Sequence, residues 1–581
     1  MRRLRLAAVF AAAALAGAAA PAWAQRAATA ALPATAREGA ELPKSAVAPH
    51  AMAAAANPLA VQAGVEVLRA GGSAVDAAVA MQAVLGLVEP QSSGLGGGAF
   101  LVFYDAKARK VIAYDGRETA PKGASPDMFL GTDGKPLPFP QAVTSGRATG
   151  VPGAIAMLSM AQKEHGKLPW SRLFDGPVRL AAEGFVVSPR LARFASSNVP
   201  QASQPDVVAY FTKADGTRYG VGDLLRAPAY AATLRRLAAQ GPDALLKGPT
   251  AAKIVARVRA DPLPSTMTTA DLAGYQPKKS DALCRPYRIY LICTPQLPSG
   301  GPALLQLMGI LEHTDIAAHP NDVQGWFLFA EASRLMYADR DYYHGDPAFT
   351  DVPLKGLLDP DYLRGRAGLI GPTAARAVAP GKPVGALALG PDATLEPGGT
   401  SNVVAVDADG NVAVMTTTVE SIFGAGRMVD GFFLNNQLTD FSFSPTGPDG
   451  RPAANAVAPG KRPRSSMAPA IVLDREGNFV AGIGSPGGVQ ILAYVGKALV
   501  GMLDWRLPMP EAIDLPNVIA RGDVVGVEST LPAGIADGLK AKGLTLAPGR
   551  GEESGLHGAM RVEGGVLGAA DPRREGTAIG F

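Results

Sequence analysis

The chain has 581 residues, of which 47% are hydrophobic and 18% are charged, and its formal net charge is +4. This composition indicates a globular protein and excludes a disordered one. The basic residues form no block, which argues against binding to nucleic acid or to an anionic membrane surface.

The first 24 residues have the pattern of a secretory signal peptide. An arginine-containing start is followed by an alanine-rich apolar stretch, and Ala22-Trp23-Ala24 matches a small-x-small cleavage site. We therefore expect residues 1–24 to be removed and the mature chain to be periplasmic or secreted. No later segment is apolar for long enough to span a bilayer, so no membrane anchor is expected after signal removal.

Two helices are predicted early in the mature chain. Residues 57–70 have helical periodicity, and Ser73 to Asp76 form a capping box that starts a second helix running to about Val88. The second helix is apolar nearly all round and should be buried. Residues 94–98 resemble a phosphate-cradling loop, but a strand follows them instead of a helix, so nucleotide binding is rejected.

Because an exported chain enters an oxidising compartment, Cys284 and Cys293 could form a disulfide there. The residues from Tyr287 to Ile292 look like a strand, and an extended span between the two cysteines would separate their sulfurs by roughly 30 Å. We therefore expect two free, mostly buried thiols. Neither has the ligand spacing of a zinc site.

Residues 372–399 are rich in proline, glycine and alanine, which predicts an exposed connector. The connector ends in Gly398-Gly399-Thr400, and a strand-like run follows. A threonine hydroxyl becomes a competent nucleophile when its own α-amino group is the general base, which requires a cut before Thr400. The simpler alternative is a Gly-Gly turn into a strand that happens to begin with threonine.

The two runs 403–407 and 412–419 predict a β-hairpin, because a strong turn signal separates them. If the turn centres on Asp409, Thr400 pairs with Thr418. A second hydroxyl would then lie beside the first. Threonine-rich strands are also common simply because threonine favours strands.

Four further motifs carry groups that such a nucleophile needs. Gly487 and Gly488 lie between a strand and a helix and could form an oxyanion hole, or only a tight turn. The run 461–466 places two hydroxyls beside basic residues, as in a carboxylate site or a solvated loop. The run 435–440 offers amide and carboxylate groups suited to an ammonium, or to capped turns. Arg117 could bind a ligand carboxylate through two hydrogen bonds, or it could form an ordinary salt bridge at the surface.

Taken together, these motifs resemble the γ-glutamyltransferases (γ-glutamyltranspeptidases) of the N-terminal-nucleophile hydrolase superfamily. The resemblance covers nearly the whole mature chain. It rests on the order and spacing of Thr400 and the motifs 434–437, 465–467 and 484–488, supported by matching motifs at 71–78, 94–98, 117–121, 298–301, 337–340 and 571–573.

The resemblance implies an α+β fold, a four-layer αββα sandwich built as one interleaved unit. It also implies a precursor that cuts itself between Gly399 and Thr400. The products would be a large subunit, residues 25–399, and a small subunit, residues 400–581, that stay together.

By the same resemblance each motif has a role in catalysis or binding. Thr400 would be the nucleophile, Thr418 its hydroxyl partner, and Gly487 and Gly488 the oxyanion hole. The α-carboxylate of a γ-glutamyl group would be held by Arg117, Ser465 and Ser466, and its α-amino group by Gln437 and Asp440. A γ-glutamyl ester on Thr400 would be released by water or by an amino-acid or peptide acceptor, without a metal or organic cofactor.

Two departures from the family pattern concern the substrate. Glu420 stands where asparagine is common, which adds a carboxylate near the head of the expected substrate. This carboxylate could strengthen the grip on the α-amino group, or it could repel a carboxylate. The loop 443–461 is shorter than the lid of some members and has no tyrosine, so the pocket is expected to be more open.

The leading hypothesis is a γ-glutamyl hydrolase or transferase acting on glutathione and related compounds. The first alternative is a glutaryl-type cephalosporin acylase on the same scaffold, whose acyl group lacks the α-amino charge. Glu420, Gln437 and Asp440 favour a cationic amine and therefore the first hypothesis. The second alternative is a periplasmic binding protein that never matures.

Overall fold

The computed structural model describes residues 42–392, 394–447, 449–549 and 553–581. The predicted signal peptide, residues 1–24, lies outside the described residues, as do residues 25–41. From Lys44 to Phe581 the chain forms one unit. Within the described part of the chain, no helix combines the length and apolar character needed to cross a bilayer.

Strands make up the centre of the unit and are numbered in chain order. They are β1 (Ser45–Ala48), β2 (Met52–Ala55), β3 (Gly98–Asp105), β4 (Lys110–Asp115), β5 (Phe185–Val186), β6 (Leu224–Leu225), β7 (Lys278–Asp281), β8 (Leu283–Tyr287), β9 (Tyr290–Thr294), β10 (Thr400–Val406), β11 (Val412–Thr418), β12 (Met428–Val429), β13 (Phe432–Phe433), β14 (Ala470–Leu473), β15 (Phe479–Gly484), β16 (Val518–Ala520), β17 (Val524–Val527), β18 (Thr545–Pro548), β19 (His557–Val562), β20 (Gly565–Ala570) and β21 (Thr577–Gly580).

Helices surround the strands and are numbered in the same way. They are α1 (Pro58–Arg69), α2 (Ala74–Val88), α3 (Phe139–Val143), α4 (Ala154–His165), α5 (Asp175–Glu183), α6 (Pro189–Ala195), α7 (Pro205–Tyr210), α8 (Pro228–Gln240), α9 (Asp243–Leu246), α10 (Gly248–Arg259), α11 (Thr269–Ala273), α12 (Gly301–Leu311), α13 (Val323–Tyr343), α14 (Leu354–Leu357), α15 (Pro360–Ala367), α16 (Ile491–Leu503), α17 (Met509–Asp514) and α18 (Ala533–Ala541).

The strands in the described residues form two seven-stranded sheets and three small ones. The first large sheet has the order β21-β2-β10-β11-β3-β4-β7, and the second has the order β1-β20-β19-β15-β14-β9-β8. All neighbours in both large sheets are antiparallel. Strand β10, which begins with Thr400, lies inside the first sheet between β2 and β11.

The two large sheets pack face to face, and helices cover their outer faces. Val404 and Val414 of the first sheet lie in one apolar layer with Ile471 and Phe479 of the second. Residues that alternate with them, such as Val403, face the helices instead, as the period of two in a strand requires. Helices α1 and α2 pack on the first sheet, and α12, α13 and α16 on the second. The predicted four-layer αββα sandwich of the α+β class is confirmed.

The predicted hairpin and the predicted buried helix are both confirmed. Strands β10 and β11 pair in the register that joins Thr400 to Thr418. Helix α2 begins at a capping box between Ser73 and Asp76, and every residue of the helix is buried. Small and apolar side chains all round the helix allow this burial without unpaired charges.

The prediction of two free thiols is wrong. Cys284 and Cys293 form a disulfide across the hairpin of β8 and β9, with their Cα atoms 4.0 Å apart. The chain does not continue as a strand from Tyr287 but turns at Arg288, whose φ of 56° is left-handed. That reversal brings the two cysteines to directly opposite positions.

The prediction that residues 372–399 form an exposed connector is wrong for the last part of this segment. Thr394, Glu396 and Gly399 are buried. Glu396 is buried because its carboxylate forms salt bridges with Arg340 and Arg464. The segment directly before Thr400 therefore lies partly in the interior, although Leu395 within it is exposed.

Candidate active site

Thr400 is buried beside the peptide bond that it would attack. Its hydroxyl donates a hydrogen bond to the Thr418 hydroxyl, and the two oxygen atoms are 3.2 Å apart. The Thr418 hydroxyl donates to the carbonyl oxygen of Gly399 at 2.8 Å and accepts from the backbone N–H of Glu420 at 2.7 Å. The carbonyl group before Thr400 thus already has a hydrogen-bond donor on its oxygen.

Buried charged groups hold the first two residues of β10, Thr400 and Ser401. The guanidinium of Arg574 donates to the carbonyl oxygen of Thr400 at 3.2 Å. The hydroxyl of Ser401 donates to Glu89 at 3.0 Å, and Arg190 lies 3.3 Å from the same carboxylate. Burial raises the pKa of Glu89 although Arg190 opposes the rise. These contacts hold the start of β10 in one position.

A small cavity of about 20 Å³ connects Thr400 with the other predicted site residues. Of those residues, only Gly487 is not among its walls. The lining consists of Arg117, Glu396, Pro397, Thr400, Thr418, Glu420, Gln437, Asp440, Ser465, Ser466, Met467, Gly488 and Ile491. The fold thus brings together side chains that are far apart in the sequence.

One wall of the cavity is rich in hydrogen-bond acceptors, two of which have no donor within the described part of the chain. Oε1 of Gln437 and Oδ1 of Asp440 are buried and have no hydrogen-bond partner among the described residues. The buried carboxyl group of Glu420 has the side chains of Ser421 and Asn436 beside it as donors. The other oxygen of Asp440 accepts from Gln437 at 2.7 Å. Glu420 also has a φ of 83°, a left-handed conformation that costs about 1–3 kcal/mol for a residue with a side chain. The acceptor atoms of this wall suit a ligand with several N–H donors on one cation.

The protonation of this acceptor wall depends on burial. Burial and the neighbouring Asp440 raise the pKa of Glu420 well above its ordinary value. Burial also raises the pKa of Asp440, to about 6, although Arg117 opposes the rise. Two buried carboxylates side by side cannot both ionise cheaply without a cation. A ligand cation would lower both pKa values and complete the site.

The same cavity already holds a carboxylate, that of Glu396. One of its oxygens accepts from Arg340 at 2.6 Å and from the Ser466 hydroxyl at 2.6 Å. The other accepts from Nη2 and Nε of Arg464 at 2.9 and 3.1 Å. Burial alone would raise the pKa of Glu396, but Arg340 and Arg464 lower it below its ordinary value. Ser465 lies next to this site, and its hydroxyl accepts from the backbone of Met467 at 3.1 Å.

Arg117 also lines the cavity and has partners within the protein. Its guanidinium contacts Asp440 at 2.6 Å and the carbonyl oxygens of Pro463 and Arg464 at 3.1 and 2.6 Å. The buried Glu118 lies 3.8 Å away, and burial raises the pKa of Glu118 to about 8. Contact of Arg117 with a ligand carboxylate remains a prediction.

The glycine turn predicted as an oxyanion hole follows β15 and precedes α16. Gly487 and Gly488 have φ values of 134° and 58°, which glycine adopts readily. Gly488 lines the cavity, whereas Gly487 lies against the ring of Tyr494. Their role as oxyanion donors stays a prediction.

Sequence reasoning missed three charged residues of the site: Glu396, Arg340 and Arg464. Arg340 ends the 337–340 motif, and Arg464 lies within the basic run before Ser465, so both stood beside recognised features. Glu396 lies four residues before Thr400 in a segment without apolar periodicity. A lone acidic residue in such a segment gives no signal of burial.

A buried threonine that begins a central strand and donates a hydrogen bond to a second threonine, in a four-layer sandwich, is the arrangement of the N-terminal-nucleophile hydrolases. The family model described as Gamma-glutamyltranspeptidase matches residues 60–581. The chain belongs to the γ-glutamyltranspeptidase family.

The chain is similar both to proteins named glutathione hydrolases and to proteins named acylases. The glutathione hydrolase proenzyme of Bacillus subtilis (strain 168) is 36% identical over 548 residues, with 91% of each chain covered. The acylase ACY 1 proenzyme of Pseudomonas sp. (strain SE83) is 32% identical over 534 residues, covering 90% of this chain and 92% of the relative. A crystal structure of cephalosporin acylase from Bacillus halodurans superposes with a TM-score of 0.81 at 26% identity, covering 95% of this chain and 98% of the other.

These comparisons confirm the predicted family and the assignment as an enzyme. They give no support to the alternative of a binding protein that never matures. The choice between γ-glutamyl and glutaryl substrates depends on the site itself.

Proposed function

We propose that this chain is a self-processing γ-glutamyl hydrolase or transferase that acts on glutathione and related γ-glutamyl compounds. The observation that carries the proposal is the wall of acceptor atoms on Glu420, Gln437 and Asp440, of which Oε1 of Gln437 and Oδ1 of Asp440 have no donor among the described residues. A γ-glutamyl group carries an α-ammonium that can donate to this wall. A buried acceptor left without a donor costs about 1–3 kcal/mol, so the wall favours a substrate that supplies donors.

Maturation would begin with attack of the Thr400 hydroxyl on the carbonyl carbon of Gly399. The C–N bond between the two residues breaks, the hydroxyl proton passes to the departing nitrogen, and an ester of Gly399 on Thr400 remains. Water then hydrolyses that ester. The products are a large subunit ending at Gly399 and a small subunit beginning with the free amine of Thr400.

In catalysis the free amine of Thr400 would accept the proton of its own hydroxyl, which attacks the γ-carbonyl carbon of the substrate. The amide bond breaks, and the leaving amine takes the proton. The γ-glutamyl ester on Thr400 is then transferred to water, giving glutamate, or to the amine of an amino acid or peptide. Anchoring the substrate at both its charges would place the γ-carbonyl against Thr400 and supply several kcal/mol of the barrier.

The remaining alternative is an acylase for glutaryl side chains, supported by the similarity to named acylases. A glutaryl group has no α-amino charge and would leave the acceptor wall unpaired. The wall therefore favours the γ-glutamyl substrate. The predicted signal peptide supports a periplasmic or secreted location.

The experiment has two parts on one purified sample. N-terminal sequencing of the smaller fragment should begin at Thr400, and a single uncut polypeptide would contradict the proposal. Rates on γ-glutamyl and glutaryl p-nitroanilides should then favour the γ-glutamyl compound. A preference for glutaryl would assign the acylase function instead.

A further inference from the structure

A buried tyrosine of helix α13 contacts the glycine turn beside Thr400. The side chain of Tyr337 is 1% exposed, and its hydroxyl donates a hydrogen bond to the carbonyl oxygen of Val489 at 2.6 Å. Val489 directly follows Gly488, which lines the cavity that contains Thr400. Burial raises the pKa of Tyr337 above its ordinary value, so the hydroxyl keeps its proton and remains a donor. The contact therefore joins a helix that precedes Thr400 in the chain to a turn that follows it.

Two consecutive hydrogen bonds lead from this hydroxyl to the N–H of Gly488. The carbonyl oxygen of Val489, which accepts from Tyr337, and the N–H of Gln490 belong to one peptide group. That N–H donates to the carbonyl oxygen of Gly487 at 3.2 Å. The carbonyl group of Gly487 in turn shares its peptide group with the N–H of Gly488. The hydroxyl of Tyr337 is therefore the first donor of a chain that ends at this N–H.

Such a chain acts on its last donor in two ways. A peptide group is planar, so a contact that fixes its carbonyl oxygen also fixes the direction of its N–H. Each hydrogen bond also polarises the next one and strengthens it by about 10–30%. An N–H with a fixed direction and a larger positive charge stabilises a negatively charged oxygen better. The Tyr337 hydroxyl thus affects Gly488 without touching it.

Other contacts of the turn differ from that of Tyr337 in what they control. The ring of Tyr494 packs against Gly487, where a Cβ would come within 2.5 Å of it. This packing restricts the position of the turn but donates nothing to its carbonyl groups. The N–H of Val489 donates to the carbonyl oxygen of Glu396 at 3.0 Å, and Glu396 lies in the segment that self-cleavage would release at one end. Tyr337 belongs to a helix of 21 residues, so its contact does not depend on that segment.

We propose that Tyr337 is a positioning residue for the oxyanion: through the peptide groups 489–490 and 487–488 it directs and polarises the N–H of Gly488. The inference rests on the proposed function, and on Gly488 as an oxyanion donor, and deepens both. When the Thr400 oxygen bonds to the γ-carbonyl carbon, the π electrons of the C=O bond move onto its oxygen, which accepts from Gly488. Return of these electrons restores the C=O bond and expels the leaving amine, which takes the proton held by the Thr400 amine. Tyr337 keeps its own proton throughout.

The first test compares Tyr337→Phe with Tyr343→Phe in the mature enzyme. Each change removes one hydroxyl from α13, and Tyr343 is a matched control because it is buried and donates to the carbonyl oxygen of Gly381, also at 2.6 Å. Loss of a whole oxyanion donor costs about 100-fold or more, so weakening one through Tyr337→Phe should lower kcat for γ-glutamyl p-nitroanilide about tenfold. KM should change little, because the chain acts in the transition state. Tyr343→Phe should keep both constants. Equal kcat values for the wild type and Tyr337→Phe would overturn the inference.

The second test separates an effect on the oxyanion from a general effect on the site. A boronic acid that carries B(OH)₂ in place of the γ-carboxyl group of glutamate can form a tetrahedral adduct with the Thr400 hydroxyl. One oxygen of this adduct takes the place of the oxyanion. Tyr337→Phe should weaken inhibition by the boronic acid about tenfold and leave inhibition by glutamate unchanged. Equal weakening of both inhibitors would assign Tyr337 a merely structural role and contradict the inference.

The third test uses the uncut chain, Thr400→Ala, and needs no activity. Labelling with [1-¹³C]glycine and [¹⁵N]glycine selects the amide signals of glycines that follow another glycine. The signal that disappears in Gly488→Ala belongs to Gly488. Adding Tyr337→Phe should move this amide proton signal upfield because the N–H is less polarised, whereas adding Tyr343→Phe should not move it. An unmoved signal in Tyr337→Phe would refute the inference.

A second substitution keeps this measurement decisive where Tyr337→Phe does not fold. Placing 3-fluorotyrosine at position 337 keeps the hydroxyl and nearly the same shape, and it makes the hydroxyl a stronger donor. The Gly488 signal should then move downfield. A signal that stays at its original position would again count against the inference.

The two proposals can fail separately. Wild-type protein that is never cut, or that does not cleave the γ-glutamyl anilide, contradicts the proposed function, while the Gly488 signal of the Thr400→Ala chain still tests the role of Tyr337. Normal maturation and turnover in the wild type, with the same kcat in Tyr337→Phe and an unmoved Gly488 signal, contradicts the role of Tyr337 alone.

Discussion

The hydroxyl oxygens of Thr400 and Thr418 lie 3.2 Å apart across the first residue pair of the β10–β11 hairpin. The Thr418 hydroxyl also donates to the carbonyl oxygen of Gly399 at 2.8 Å. One side chain therefore contacts both partners of the proposed self-cleavage: the attacking hydroxyl and the carbonyl group under attack. It is placed to stabilise the negative charge that develops on that carbonyl oxygen.

Replacing Thr418 with valine should slow self-cleavage by about 100- to 1,000-fold, the usual effect of losing one donor to a developing oxyanion. Valine keeps the β-branched shape and removes only the hydroxyl. Thr418→Ser should cleave much faster than Thr418→Val. The measurement is the fraction of uncut chain over time on a denaturing gel.

The matched control is Thr417→Val, on the same strand, because the Thr417 hydroxyl bonds instead to the carbonyl oxygen of Gly98. This variant should cleave at nearly the wild-type rate. Similar rates for Thr417→Val and Thr418→Val would show that the Thr418 hydroxyl has no special role.

The sequence predicts the hairpin well because both of its determinants are local. A turn signal at 407–411 and alternation along the strands fix the register to the residue. The salt bridges of Glu396 have no local signal, since Glu396 lies 56 residues from Arg340 and 68 from Arg464. The disulfide could not be predicted for a different reason. The turn at Arg288 and Ile289 contains no glycine, asparagine or proline that would indicate a chain reversal.

Changing Glu420 to glutamine should shift the substrate preference. The substitution keeps the shape of the side chain but removes a carboxylate from the acceptor wall. A hydrogen bond to a charged group contributes about 1.5–3 kcal/mol, so KM for γ-glutamyl p-nitroanilide should rise about 10- to 100-fold. KM for the glutaryl compound should change little.

Glu563→Gln is the control for this change in charge, because Glu563 is exposed in the turn between β19 and β20. It should leave both KM values as in the wild type. Equal losses on both substrates in Glu420→Gln would mean that Glu420 supports the fold of the site and does not contact the amine.

The KM for γ-glutamyl substrates should depend on the ionisation of Asp440. Burial raises the pKa of Asp440 to about 6, and only the ionised carboxylate binds an ammonium well. As pH falls through 6, the proton competes with the substrate and KM should rise, by up to about tenfold per pH unit. Steady-state kinetics between pH 5 and 8 measure this dependence of KM on pH. Asp440→Asn should have a higher KM than the wild type, and its KM should not rise as the pH falls. A wild-type KM that is constant below pH 6 would exclude Asp440 as the titrating contact.

The disulfide between Cys284 and Cys293 should stabilise the mature chain. The two cysteines are nine residues apart, and closing a loop of that size is worth about 2.5 kcal/mol through the entropy of the unfolded chain. Urea unfolding of Cys284→Ser/Cys293→Ser should have a lower midpoint than the oxidised wild type. Reductant should lower the wild-type midpoint and leave that of the variant unchanged. Coincident curves for all samples would mean that the bond contributes nothing.

Glycine at 399 should be essential for self-cleavage for steric reasons. A Cβ on Gly399 would come within 2.4 Å of the carbonyl oxygen of Glu420 and 2.6 Å of the Cα of Ser421, and backbone atoms cannot rotate away. The scissile carbonyl group would have to move off the Thr418 hydroxyl, and a displacement of about 1 Å can cost about 100-fold in rate. Gly399→Ala should therefore accumulate as the uncut chain. Gly365→Ala is the control, because a Cβ there would meet nothing within 4 Å, and it should mature normally. Cleavage of Gly399→Ala at the wild-type rate would show that the carbonyl position seen beside Thr418 is not the reactive one.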